Sequence, residues 1–116
     1  MAEPLTITVD RTPAHAVVVR VHGRIDGRTA PQLLEQATAA RQPGRTLVLN
    51  LADVTFVSSA GVGVLMVLSE TLVRDRSALR IAPASEAVLA VLSLLNLDQH
   101  LAIDATEQAA LEASGT

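Results

Sequence analysis

Two adjacent serines, Ser58 and Ser59, follow an apolar stretch and precede apolar residues with helical spacing. A serine at this place can cap a helix, because its hydroxyl accepts a hydrogen bond from a free N–H group of the first turn. The same place suits a phosphate, since free N–H groups and the positive end of the helix dipole meet there. A phosphate would add a charge of about −1.5 to −2 and would repel an acidic or closely packed partner without unfolding the helix. The two roles are compatible.

The glycines after the serines do not complete a known nucleotide-binding loop. Gly61 and Gly63 would need a third glycine where Met66 stands to match the dinucleotide motif. The P-loop needs a lysine, and all nine basic residues of the chain are arginines. The two glycines are sufficiently explained by the need for small residues where a helix leaves a sheet. We therefore expect no cofactor.

The serines also lack the surroundings of a catalytic nucleophile or a metal site. A hydrolase elbow has glycines two residues before and two after its serine, and Val57 stands at the first of these positions relative to Ser59. The histidines fall in a turn, at a strand end and before the last strand: His15, His22 and His100. No histidine or carboxylate pair has the spacing of metal ligands, and the aspartates lie mostly beside turns, where they are common. We therefore expect no catalytic residue and no metal, and predict that the protein is not an enzyme.

Composition limits the remaining classes of function. The chain has 116 residues, a net charge of −3, no cysteine and one aromatic residue, Phe56. The negative charge and the lack of aromatic residues argue against direct binding of nucleic acid. Residues 1–4 lack the features of a signal peptide, and no apolar run reaches the roughly 20 residues of a membrane span. We expect one domain over residues 1–116, located in the cytoplasm and not inserted in a membrane.

Hydrophobic spacing predicts the order β-β-α-β-α-β-α-β-α. Expected strands lie near residues 5–9, 16–22, 47–51, 79–82 and 101–103, and expected helices begin near residues 29, 59, 85 and 106. In this prediction Gly23–Gly27 ends the second strand, a short loop leads to the serines, Pro83 ends the fourth strand and Pro43-Gly44 ends the first helix. Leu95 is expected on the inner face of the third helix. The pattern indicates an α/β fold with a mixed, largely parallel sheet of about five strands and about four helices.

Three segments together resemble the STAS-domain anti-sigma factor antagonist family, also called anti-anti-sigma factors. The stretch 49–65 (LNLADVTFVSSAGVGVL) is similar to the family's apolar strand, Asp-Ser-Ser-Gly or Asp-Ser-Thr-Gly turn, Leu-Gly pair and helix. Residues 21–26 (VHGRID) are similar to its Gly-Glu-Leu-Asp segment, and residues 92–98 (LSLLNLD) resemble its Leu-x-x-x-Gly-Leu-x stretch. The resemblance covers nearly the whole chain and implies a STAS-like fold.

The resemblance implies a switch that works by protein binding. Such proteins bind an anti-sigma factor, often a serine kinase, and so release a sigma factor; phosphorylation of the turn serine stops the binding. That serine falls on Ser59, while the family's aspartate falls on Ser58 and its second Ser/Thr on Ala60. The implied partner-binding residues are Gly23, Arg24, Asp26, Ser58, Ser59, Ala60 and Gly61. The aspartate is absent here, so its role does not transfer to Ser58 unchanged.

Other functions remain open at this point. The same fold serves as a STAS subunit of a membrane transporter or of a stress-signalling assembly, where it would bind without a phosphorylation switch. A neighbouring permease gene would favour the first of these, and a neighbouring kinase-like anti-sigma gene would favour the antagonist. A small enzyme using Ser59 is the third possibility, which activity screens with a Ser59→Ala control would test. The oligomeric state is left open.

Overall fold

The computed structural model describes residues 5–115, and strands and helices alternate in it after an initial pair of strands. The strands are β1 (Thr6–Asp10), β2 (Ala16–Ile25), β3 (Thr46–Val57), β4 (Leu79–Ala84) and β5 (Ala102–Ile103). The helices are α1 (Ala30–Ala40), α2 (Ser59–Arg74), α3 (Glu86–Leu94) and α4 (Glu107–Gly115), with a 3₁₀ turn at Leu97–Gln99. The expectation of no signal peptide concerns residues 1–4, which lie outside the described part.

The five strands form one sheet in the order β1-β2-β3-β4-β5. β1 and β2 pair antiparallel as a hairpin, and the remaining neighbours pair parallel. Val19 lies at the centre of this arrangement, opposite Val9 on one side and Leu49 on the other. The predicted fold class, a mixed and largely parallel sheet with four helices, is confirmed.

The two faces of the sheet carry different cores. Val17, Val19 and Val21 point into the main core, which buried residues of α1, α2 and α3 complete. Val18 points to the opposite face, where a smaller cluster packs against Ala110 of α4. This alternation is the one that the sequence predicts for β2, because successive side chains of a strand point to opposite faces.

The second and third strands are longer than predicted. β2 does not end at His22 but continues to Ile25, and the stretch expected to be a loop before the serines belongs to β3. Arg20 and His22 of β2 are two residues apart, but their partners in β3, Asn50 and Asp53, are three apart. A second extra residue of β3 lies between the partners of Gly23 and Arg24. These bulges break the two-residue alternation, so the buried side chains of β3 there recur every third residue. Gly23 itself has φ of 122°, which glycine adopts without steric cost.

Three other predictions also differ from the structure. Pro83 does not stop β4, because the strand carries a register irregularity before Ala84 that accommodates a residue without an N–H group. α1 ends at Ala40, before the Pro43-Gly44 pair. Leu95 is half exposed instead of buried, since α3 ends at Leu94.

Candidate functional site

Ser58 forms the N-cap of α2. Its backbone is extended, and its Oγ accepts a hydrogen bond of 3.3 Å from the N–H of Gly61. Its own N–H donates to the carbonyl oxygen of Ile25 at 2.8 Å, which ties the turn to the end of β2. The hydroxyl oxygen and the N–H of this half-buried residue therefore both hold the turn, in agreement with the capping role predicted from the sequence.

Ser59 is the first residue of α2, and it is exposed. Its hydroxyl forms no hydrogen bond with any of the residues 5–115. Ala60 and Gly63 on the same helix are also exposed, and both are small. The start of α2 thus presents one unengaged hydroxyl on a surface that another protein can approach closely.

Gly61 lies where the helix touches the sheet. A Cβ atom at this position would stand 2.7 Å from Cγ2 of both Ile25 and Val57, which are buried. Gly63, two residues further on, has open space around the same position. Gly61 therefore permits a close approach of the helix to the strand ends, whereas Gly63 does not serve that purpose.

The structure brings the two predicted partner-binding segments side by side. They are the segment Gly23–Asp26, which is the last part of β2 and the residue after it, and the turn Ser58–Gly61, which follows β3. Ile25 is opposite Val57 in the parallel register. Ligand sites in parallel sheets commonly lie at the carboxyl ends of the strands, because loops that follow neighbouring strands meet there.

Asp26 has a structural task in the first of these segments. Its Oδ1 accepts hydrogen bonds from the N–H groups of Arg28 at 2.9 Å and Thr29 at 3.1 Å. These bonds hold the pKa of the Asp26 carboxyl below its usual range. The Thr29 hydroxyl accepts from the N–H of Asp26 and donates to the carbonyl oxygen of Arg24. The loop that precedes α1 is therefore fixed in one conformation by its own side chains.

Arg24 and Phe56 form a cross-strand pair beside this loop. They are opposite each other in the register, and the guanidinium carbon lies 4.3 Å from the ring centroid. The ring remains 37% exposed, so it is accessible to a partner. Phe56 is not among the site residues predicted from the sequence; a lone aromatic residue close before the serine turn was the available signal.

The opposite face of the sheet carries a shallow cavity of about 240 Å³ beside α4. Arg20 lines it and makes two hydrogen bonds of 2.8 Å to the carboxylate of Glu107, which also holds the pKa of Glu107 below its usual range. Asn50 donates a further hydrogen bond to Glu107. The charge of Arg20 is thus neutralised within the protein, and the network fastens α4 to the sheet.

Within residues 5–115, no group of three or more His, Cys, Asp or Glu side chains is placed to hold a metal ion. No helix in the described part is long and apolar enough to cross a membrane.

The fold and the serine turn define an α/β protein with its distinctive surface at the carboxyl ends of two parallel strands. The model of the STAS domain family matches residues 6–110. The chain therefore belongs to the STAS domain family.

Several solved structures are similar over nearly the whole chain. An anti-sigma factor antagonist from Mycobacterium paratuberculosis is 27% identical, with a TM-score of 0.86 and complete coverage of both chains. SpoIIAA in its unphosphorylated form is 23% identical, with a TM-score of 0.76 over 93% of this chain and 95% of that one. The phosphorylated form of SpoIIAA, a Bacillus cell fate determinant, is 22% identical, with a TM-score of 0.70 over 93% and 98%. The two SpoIIAA structures show the shared fold.

Proposed function

We propose that this protein is an anti-sigma factor antagonist, a binding module that is not an enzyme and that works in the cytoplasm. Its partner is an anti-sigma factor of the serine kinase type, and phosphorylation of Ser59 ends the binding. The observation that carries the proposal is the exposed, unengaged hydroxyl of Ser59 at the start of α2, beside the segment Gly23–Asp26. The similarity to an antagonist over the full length of both chains supports it, and SpoIIAA, which has the same fold, is known in a phosphorylated form.

The local hydrogen bonds favour Ser59 over Ser58 as the phosphate acceptor. Ser58 Oγ accepts from Gly61 N–H, so phosphorylation there would disturb the cap. Ser59 has no such bond to lose, and a kinase can reach it from solvent. The absence of the family aspartate at position 58 is compensated structurally, since serine and aspartate are comparably good N-cap residues.

A phosphate on Ser59 would alter the surface and leave the fold in place. At a helix N-terminus a negative charge is favourable by about 0.3–1 kcal/mol, because it meets the positive end of the dipole. The neighbouring Ala60 and Gly63 are small, so a partner can pack closely against them when the serine is unmodified. The phosphate would occupy that space and add charge that the partner must desolvate. We therefore infer that the switch acts through the contact itself and not through unfolding.

The proposed contact surface consists of the two adjacent segments at the strand ends, with Gly23, Arg24 and Asp26 from the first. Ser58, Ser59, Ala60 and Gly61 come from the second. Gly23 and Gly61 are buried, so their part is to set the shape of the backbone below this surface. The internal hydrogen bonds of Asp26 and the cap of Ser58 fix the shape of this surface before a partner arrives. A preformed surface lowers the entropic cost of association.

The test compares Ser59→Ala with Ser59→Asp. The Ser59→Ala protein is used to recover the anti-sigma factor from lysate, and the recovered protein must phosphorylate the wild-type chain with ATP. Binding of each purified variant is then measured by calorimetry. We expect Ser59→Ala to bind like the unphosphorylated wild type and Ser59→Asp to bind at least about tenfold more weakly, a difference of about 1.4 kcal/mol.

Ser93→Asp is the matched control, because Ser93 is an exposed helical serine outside the proposed surface. It should bind like wild type. Equal binding by Ser59→Ala and Ser59→Asp would remove the phosphorylation switch and leave a STAS binding module of another assembly.

A further inference from the structure

We propose that the Arg24 guanidinium, held over the ring of Phe56, is the receptor for one carboxylate on the anti-sigma partner. The partner would present an Asp or Glu side chain opposite this position, which would set partner choice. This inference rests on the proposed function and adds the chemistry that the partner must supply.

The first observation is that the donors of Arg24 are unused. The guanidinium forms no hydrogen bond or direct ion pair with any residue between 5 and 115; its contact is the stack on the Phe56 ring. Three other arginines are engaged with carboxylates at 2.6–2.8 Å: Arg20 with Glu107, Arg41 with Asp75 and Arg80 with Asp104. Nearby Asp26 attracts Arg24 at longer range without a direct contact to the guanidinium, and its Oδ1 accepts from backbone N–H groups.

The second observation is that the stack fixes how these donors are presented. A guanidinium lying over a ring is attracted by the negative face of the aromatic system, and its N–H groups then point outward in the plane of the guanidinium. Two parallel N–H groups in this plane match the two oxygens of a carboxylate. Phe56 and Arg24 are opposite each other on paired strands, so the rigid sheet holds the receptor in place.

The third observation concerns charge. The chain carries a net charge of −3, and Arg24 is the cationic residue of the proposed contact surface. Opposed charges across an interface select partners and fix register more than they raise total affinity.

The test measures binding of the anti-sigma factor recovered with the Ser59→Ala protein. Against wild type, Arg24→Gln should weaken binding about tenfold and Arg24→Glu about a hundredfold, because the second change adds repulsion to the lost pair. Phe56→Leu should weaken binding several-fold, since it frees the guanidinium without removing the charge. Far-ultraviolet circular dichroism checks that each variant is folded.

Arg11→Glu is the matched control, with the same change of charge on an exposed arginine in the β1–β2 turn. Arg11 follows Asp10, which pairs with Val18, so at a rise of roughly 3.3 Å per residue it lies about 20 Å from Arg24. It should bind like wild type. Acidic residues on the partner surface are then changed to arginine one at a time, and one of these variants should restore binding to Arg24→Glu.

Three results would overturn the inference. If Arg24→Gln and Arg24→Glu bind as tightly as wild type while Ser59→Asp does not, the carboxylate receptor is wrong and the proposed function stands. If Arg24→Gln binds normally but no longer responds to phosphorylation of Ser59, the guanidinium holds the phosphate instead of a partner carboxylate. If every variant, including Ser59→Asp, binds as tightly as wild type, the proposed function is wrong as well.

Discussion

Gly61 lies at the contact between the serine turn and the sheet, and replacing it with alanine should destabilise the protein. The added Cβ would stand 2.7 Å from Cγ2 of both Ile25 and Val57, closer than carbon atoms approach in folded proteins. Both neighbours are β-branched and buried, so they have little freedom to rotate away. Such overpacking costs about 1–3 kcal/mol, and the better helix propensity of alanine offsets up to about 1 kcal/mol of this. We expect a net loss of about 1–2 kcal/mol in the free energy of unfolding.

Gly63→Ala is the matched control, since it makes the same change in the same helix. No atom lies within 4 Å of the new methyl group, and Gly63 is exposed. Its alanine variant should therefore be about 0.5–1 kcal/mol more stable than wild type. Urea unfolding followed by circular dichroism measures both changes, because the chain has no tryptophan or tyrosine for fluorescence. If the two variants change stability equally, the close packing of the serine turn on Ile25 and Val57 does not determine the need for glycine.

Three further outcomes are expected. Ser58→Ala should lower the free energy of unfolding by about 0.5–1 kcal/mol through loss of the helix cap, while Ser58→Asp keeps it; urea titration distinguishes the two. Ser59→Asp should be about 0.3–1 kcal/mol more stable than Ser59→Ala at low salt because of the helix dipole, and a lower melting temperature would contradict a switch that leaves the fold intact. The pKa of Glu107 is lowered from 4.5 by the hydrogen bond from Arg20, so the Arg20–Glu107 pair stabilises the fold above that pH and loses its contribution as the pH falls through the lower folded value. Glu107→Gln should therefore unfold more readily at neutral pH and show a weaker acid dependence, which denaturant titrations across acidic pH will measure; an unchanged acid dependence would count against this pair.

The order of strands and helices was predictable because burial imposes a period on the sequence. Val17, Val19 and Val21 alternate with residues of the other face, and the structure places them in the main core. The capping role of Ser58 was predictable for a similar reason, since it depends on the residues of one helical turn.

The extension of β2 and β3 was not predictable from periodicity. Each bulge inserts one residue into β3, which changes the spacing of buried side chains from two to three. The resulting spacing of apolar residues in the sequence is typical of neither a regular strand nor a helix. A loop was therefore the expected structure before Ser58, although the backbone there pairs with Arg24 and Ile25.

The Arg24–Phe56 pair was missed for a different physical reason. The two residues are far apart in the chain, and they meet only because β2 and β3 pair in a particular register. The positions of the predicted segments relative to each other depend on the same register. Their roles in binding stay predictions, which the partner measurements above address.

The most direct test of the proposed switch maps the phosphate. The wild-type chain and the Ser59→Ala variant are incubated with the recovered anti-sigma kinase and ATP, and phosphorylated peptides are identified by mass spectrometry while the complex is followed by size-exclusion chromatography. We predict a single phosphate on Ser59 of the wild type, no phosphate on the variant, and dissociation of the complex for the wild type alone. Phosphate found only at another residue, or a wild-type complex that survives full phosphorylation of Ser59, would contradict the account.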